Sequence, residues 1–246
     1  MFKYLLSFFT VLLFQIINSQ ILRPFDNEKC GSFSYSVKAK NFIKIDYLND
    51  EDFKMFKNKK VELNEIPKEE NLKLLIEFKQ KFPKIFSDSC ATFSFYENNE
   101  LREVKSCNIK FKLIDKESDF YIFQMSGFEI SGYLMYNGKT KLSIFTDAFP
   151  QILEDGRYII STENGLNSTS IQFYKKEEKG YSDYELNISP RFRIKEYYIY
   201  KDYFKNLILV SSVTRKSLKL VEEGKNGKKY VFDENNGCNL KIKIEY

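Results

Sequence analysis

CATFSFYENNELREVKSC, residues Cys90 to Cys107, is the stretch whose reading decides the fold. Two alternating runs, Cys90–Tyr96 and Leu101–Cys107, flank Asn98-Asn99, and asparagine tolerates the positive φ that both central residues of a type I′ turn require. That predicts a hairpin. With the two asparagines as the turn, Glu97 faces Glu100, Phe93 faces Val104, and Cys90 faces Cys107. Counting outward from the hydrogen-bonded pair at the turn, the cysteines land on a non-hydrogen-bonded pair, where Cα atoms approach to about 4.5 Å. A disulfide needs roughly 4.4–6.8 Å, so the pair is within bridging range. The competing reading is two unrelated thiols, because turn type alone can shift register.

All four cysteines (Cys30, Cys90, Cys107, Cys238) follow an N-terminal segment with the order of a secretory signal peptide. Lys3 supplies the charge, Tyr4 to Ile17 the apolar run, and Asn18-Ser19-Gln20 the cleavage region. Cleavage after Ser19 is expected, making residues 1–19 the leader. The apolar run falls short of the ~20 residues that span a bilayer, and no later run suits a span, so no integral membrane segment is expected after cleavage. An even cysteine count in an oxidising compartment favours disulfides over metal ligation. Pairing Cys90 with Cys107 leaves Cys30 with Cys238, a bridge that would clasp the two ends of the mature chain. This predicts one β-rich domain over residues 20–246; two β domains split near residue 117 are the alternative.

Working outward, Ser32–Val37 and Phe42–Tyr47 alternate as half-buried strands, and Asp50–Lys60 fits either a short helix or a loop. A helix is expected from about Pro67 to Phe82, with Leu72, Leu75, Phe78 and Phe82 on its buried face and Pro83 as its stop. Further strands follow, with Phe120–Met125 apolar on both faces. Asn137-Gly138, Asn164-Gly165 and Asn226-Gly227 have hairpin-turn composition. In the first of these, Tyr133 would pair with Leu142 and Met135 with Thr140. The fold class predicted is mainly β: an antiparallel sandwich or distorted barrel built from hairpins, with one packed α-helix.

The chain contains no histidine and carries a net charge of +5. Absence of histidine excludes Ser-His and Cys-His nucleophile pairs and His-containing zinc sites. There is no nucleophile elbow, phosphate-binding glycine loop or dinucleotide fingerprint, so no catalytic, cofactor-binding or metal residue is nominated. The mild, dispersed charge argues against a nucleic-acid partner. Carboxylate chemistry survives the exclusions, but 34 acidic residues could supply many pairs and none stands out.

Asn167-Ser168-Thr169 and Asn187-Ile188-Ser189 are N-glycosylation sequons, the second weakened by Pro190. The aromatic run Tyr197, Tyr198, Tyr200, Tyr203 and Phe204 could stack on a sugar or anchor a protein, or simply fill a strand. The expectation is a secreted, N-glycosylated, noncatalytic binding or structural protein whose partner is an extracellular protein or carbohydrate. A carboxylate-dependent glycoside hydrolase and an apolar-ligand carrier are the alternatives.

Overall fold

The computed structural model describes residues 25–27, 31–33, 35–38, 44–58, 66–67, 69–97, 100–128, 130–165, 169–189, 191–201, 207–215, 217–224, 227–233 and 239–245. Among the described residues it is mainly β, with two helices. In chain order the first elements are β1 (Phe25–Asn27), β2 (Gly31–Phe33), β3 (Tyr35–Lys38), β4 (Lys44–Tyr47), α1 (Asp50–Asn58) and α2 (Leu72–Lys81). Then come β5 (Phe86–Ser87), β6 (Cys90–Glu97), β7 (Glu100–Cys107), β8 (Lys110–Glu117), β9 (Phe120–Gly127), β10 (Ile130–Asn137) and β11 (Ser143–Thr146). The remainder are β12 (Gln151–Leu153), β13 (Tyr158–Asn164), β14 (Thr169–Lys176), β15 (Tyr181–Ile188), β16 (Phe192–Lys201) and β17 (Leu207–Arg215). β18 (Ser217–Gly224), β19 (Gly227–Asp233) and β20 (Asn239–Glu245) are the last of the described elements. Among the described residues the sheets are antiparallel and none closes into a barrel, which selects the sandwich.

Two compact units emerge. One gathers the described residues up to Glu62 together with Glu163–Ile171 and those from Tyr184 onward; the other comprises Leu63–Thr162 and Gln172–Asp183.

In the second unit the central sheet runs β11-β10-β9-β8 and is buried on both faces. The period of two distributes its side chains: Tyr121, Phe123, Leu134 and Tyr136 face one core, while Phe120, Ile122 and Met135 face the other. The first core is closed by Ala91 and Phe93 of β6 and by Phe78 and Phe82 at the C-terminal end of α2. The second is closed by Phe149, Ile152 and Ile159. Phe78 is fully buried and meets the rings of Phe82, Tyr121 and Phe123 at 4.8, 4.9 and 5.0 Å. The contacts to Tyr121 and Phe123 are edge-to-face, an arrangement that adds about 0.5–1.5 kcal/mol per pair beyond area burial.

The hairpin Cys90–Cys107 forms in the expected register, with Cys90 opposite Cys107, Phe93 opposite Val104 and Glu97 opposite Glu100. The disulfide Cys90–Cys107 is present, with its Cα atoms 4.0 Å apart. Asn98 and Asn99 lie outside the described residues, as do Cys30 and Cys238.

Three expectations are corrected. Helix α2 starts at Leu72, not Pro67, because Asn71 caps it: the Asn71 side chain accepts the Leu74 N–H at 3.0 Å. Leu72 consequently sits on the wet face at 63% exposure, and the buried face is Leu74, Leu75, Phe78 and Phe82. In the β10–β11 hairpin, Tyr133 faces Thr146 and Met135 faces Ile144, a shift of four residues from the two-residue turn. The cause is Asn137, whose side chain accepts the N–H groups of Lys139 and Thr140 at 2.9 and 3.0 Å while its carbonyl accepts Lys141 N–H. Lys141 then adopts φ 64° to close a wider loop. An even shift leaves every side chain on its expected face. In the β18–β19 hairpin Gly224 faces Gly227, so the connection is Lys225-Asn226 and Gly227 belongs to the strand.

In the first unit, β16-β17-β20-β4 form one sheet and β3 pairs with β15. Helix α1 settles the ambiguity of Asp50–Lys60: Asn49 caps it by accepting Asp52 N–H at 2.8 Å, three acidic residues complement its N-terminus, and Phe53 and Phe56 are buried. No helix among the described residues is long and apolar enough to cross a membrane.

Candidate functional site

Of the five aromatic residues singled out from sequence, three are described, all on β16. Tyr198 and Tyr200 share a face and pack beneath α1, Tyr198 against Phe53 at 5.8 Å and Tyr200 against Phe56 at 5.1 Å. Tyr197 falls on the alternate face and is half-buried. Tyr203 and Phe204 lie outside the described residues. The Tyr198 hydroxyl donates to Glu196 Oε2, and Lys57 Nζ of α1 stands 3.4 Å from the same oxygen and 5.4 Å from the Tyr198 ring centroid. The Tyr198 hydrogen bond, followed by Lys57, holds the Glu196 carboxyl below its usual range, while burial raises the Tyr198 phenol.

The sequon residue Asn187 lies within β15, opposite Ser36 and half-buried. Asn167 is outside the described residues. Asp147 holds Gln172, accepting its Nε2 hydrogen at 3.0 Å, and Gln172 Oε1 accepts Asp147 N–H at 3.1 Å. Glu103 is exposed on β7, and Glu129 is outside the described residues. Among the described residues no group of three or more Cys, Asp or Glu side chains is placed to hold a metal ion.

Sequence reasoning did not find the groove of the second unit. It is about 380 Å³ in volume, bounded by Tyr96 of β6, Leu101 of β7, the β10–β11 loop through Thr140 and Leu142, and Lys176–Tyr181 between β14 and β15. That volume lies within the roughly 300–1,000 Å³ of small-molecule sites. Each wall has a local cause. Asn137 sets the course of the β10–β11 loop through the two N–H bonds above. The Lys176–Tyr181 turn closes when Glu177 N–H donates to Gly180 O at 2.8 Å and the Ser182 hydroxyl donates to Glu177 Oε1 at 3.1 Å. Gly180 passes so close to Tyr96 that a Cβ there would stand 2.8 Å from the ring.

The Tyr181 hydroxyl is committed, donating to Gly156 O at 2.5 Å. Burial, with Asp119 nearby, pushes its phenol up to about 12. The groove therefore offers aromatic and aliphatic surface from Tyr96, Tyr181, Leu101 and Leu142 beside the polar side chains of Thr140, Lys176, Glu177, Glu178 and Lys179. Such a surface can seat a ligand with one apolar face and several hydroxyl or charged groups. The sequence marks its walls with the Asn137-Gly138 pair, read above as a hairpin turn, and with the polar run Glu177-Glu178-Lys179-Gly180, which was not singled out. Neither shows that two distant loops meet.

Comparison with protein families, curated proteins and solved structures found no match.

Proposed function

We propose that this chain is a secreted, N-glycosylated, noncatalytic binding protein that holds a carbohydrate-type ligand in the Tyr96–Tyr181 groove. The observation that carries the binding reading is the groove itself, which tyrosine and leucine side chains line together with lysine, glutamate and threonine. A sugar ring presents C–H faces to aromatic carbon and hydroxyls to polar side chains of this kind. Secretion is supported by the leader-like N-terminus and by the Cys90–Cys107 disulfide, since disulfides persist in oxidising compartments. The noncatalytic reading rests on the absence of histidine and of nucleophile motifs from the sequence.

An oligosaccharide panel titrated against the protein by calorimetry tests the ligand class. Binding to at least one glycan is expected, weakened by Tyr96→Ala. A panel that gives no heat, or a glycan bound equally well after Tyr96→Ala, would defeat the assignment of this groove. Intact mass of material from the culture medium tests the rest: an N-terminus at Gln20 and a carbohydrate increment lost on Asn167→Gln are expected. A chain retained in the cell with Met1 intact would sink the secretion reading.

A further inference from the structure

We propose that β7 pairs antiparallel with β7 of a second copy of this chain, joining two three-stranded sheets into one across a twofold axis at Val104.

The strand order β5-β6-β7 leaves β7 at an edge, and its pairing with β6 runs without a bulge from Cys107 to Glu100. It is exposed along nearly its whole length, including Leu101 at 63% and Val104 at 46%. The close Cα approach of Cys90 and Cys107, 4.0 Å, marks a non-hydrogen-bonded pair. Pairs alternate from there, so Arg102, Val104 and Ser106 turn their amides toward β6. Leu101, Glu103 and Lys105 turn theirs outward, and among the described residues those groups have no partner. A straight edge of this kind is a template for another strand.

The side chains determine which strand. A twofold axis perpendicular to the sheet keeps each side chain on its own face, so odd positions meet odd and even meet even. Two registers engage most of β7; the others leave at most about five residues paired. In one of the two, Glu103 faces the partner's Glu103 and Leu101 faces the partner's Lys105, placing like charge on like charge. In the other, Val104 faces the partner's Val104, Glu103 faces the partner's Lys105, Arg102 faces the partner's Ser106, and Leu101 covers the partner's disulfide at Cys107. Every cross-strand pair there is compatible, and the outward amides form about eight N–H···O bonds. Charges on an edge ordinarily discourage pairing. Here they oppose the neighbouring register and complement this one.

The experiment is sedimentation equilibrium of the full chain, disulfide intact, between about 0.01 and 1 mM, because an edge-strand contact is at the small end of specific interfaces. A reversible monomer–dimer equilibrium is expected. Glu103→Lys and Lys105→Glu each turn two attractive pairs repulsive and should weaken association by about tenfold. The double variant exchanges the charges and should regain dimerisation. Glu103 and Lys105 are both exposed, and unchanged thermal melts confirm that the variants fold. A protein that stays monomeric throughout, single variants that associate like the parent, or a double variant that does not recover would each overturn the proposal.

Discussion

The Tyr198 hydroxyl donates its hydrogen to Oε2 of Glu196, two residues earlier on the same face of β16. The bond ties a buried ring to a carboxylate that Lys57 of α1 also reaches, so one oxygen joins helix to sheet. Folding lowers the Glu196 carboxyl, which means its stabilisation is present above the ordinary carboxylate value of 4.5 and is lost as pH falls through the depressed value. The Glu196 side chain is 36% exposed, so solvent screening limits the contribution to at most about 1 kcal/mol. Glu196→Gln should flatten the acid limb of a plot of denaturation midpoint against pH. An acid limb as steep in the variant as in the parent would show that other carboxylates govern it.

Phe78 is the residue on which the first core of the second unit closes, with no exposed surface and four rings within 5.4 Å. Phe78→Ala is expected to cost about 3–5 kcal/mol, the transfer loss plus the cavity left behind. Leu72→Ala, at the start of the same helix and on its wet face, should stay within about 0.5 kcal/mol. Urea denaturation compares them, and similar losses at both positions would contradict the packing described.

Gly156 adopts φ 84°, and a Cβ there would meet Phe120 Cε2 at 2.6 Å. Its carbonyl also receives the Tyr181 hydroxyl. Gly156→Ala therefore combines backbone strain with a push on a buried ring and should destabilise by about 2–3 kcal/mol. A melting temperature within a degree of the parent would refute the left-handed geometry.

How much of this was legible beforehand depended on whether the deciding interaction was local. Phe93 opposite Val104 and Cys90 opposite Cys107 followed from turn arithmetic, because both strands and their connection lie in one short stretch. The two-faced burial of Phe120–Met125 was visible because apolar residues occupy both faces of the run, with Gln124 the one polar position. Asn137 was misread because Asn-Gly composition fits a type I′ turn, whereas the Asn137 side chain captured two amides and widened the loop. Pro67 was misread as a helix start because a proline fits the first turn, yet Asn71 supplied the better cap. The groove was invisible: Tyr96 and Gly180 are far apart in sequence, and no period or motif announces that they touch.

Asn137 itself can be tested. It is 5% exposed and serves two N–H groups, so Asn137→Ala leaves both donors short of a partner at a cost of about 1–3 kcal/mol. Asn137→Asp keeps the acceptor oxygen and should cost less. If the two variants were equally destabilised, the side-chain oxygen would not be what holds the loop.

The Cys90–Cys107 bridge closes a loop with a sequence separation of 17 at the end of the hairpin remote from its turn. Across its β6 strand lie Ala91 and Phe93, both buried in the first core, so the open end of the hairpin is anchored by packing as well as by sulfur. Removing both sulfurs, as Cys90→Ser with Cys107→Ser, restores loop entropy to the unfolded chain and should lower stability by about 3 kcal/mol. Packing of Phe93 predicts that the hairpin nevertheless persists. Hydrogen exchange should therefore quicken at the substituted position 90, at Ala91 and at Ser106 while the amides of Phe93 and Val104 stay protected relative to global unfolding. Loss of protection along the whole of β6 and β7 would mean that the disulfide, not the core contact, holds the strands in register.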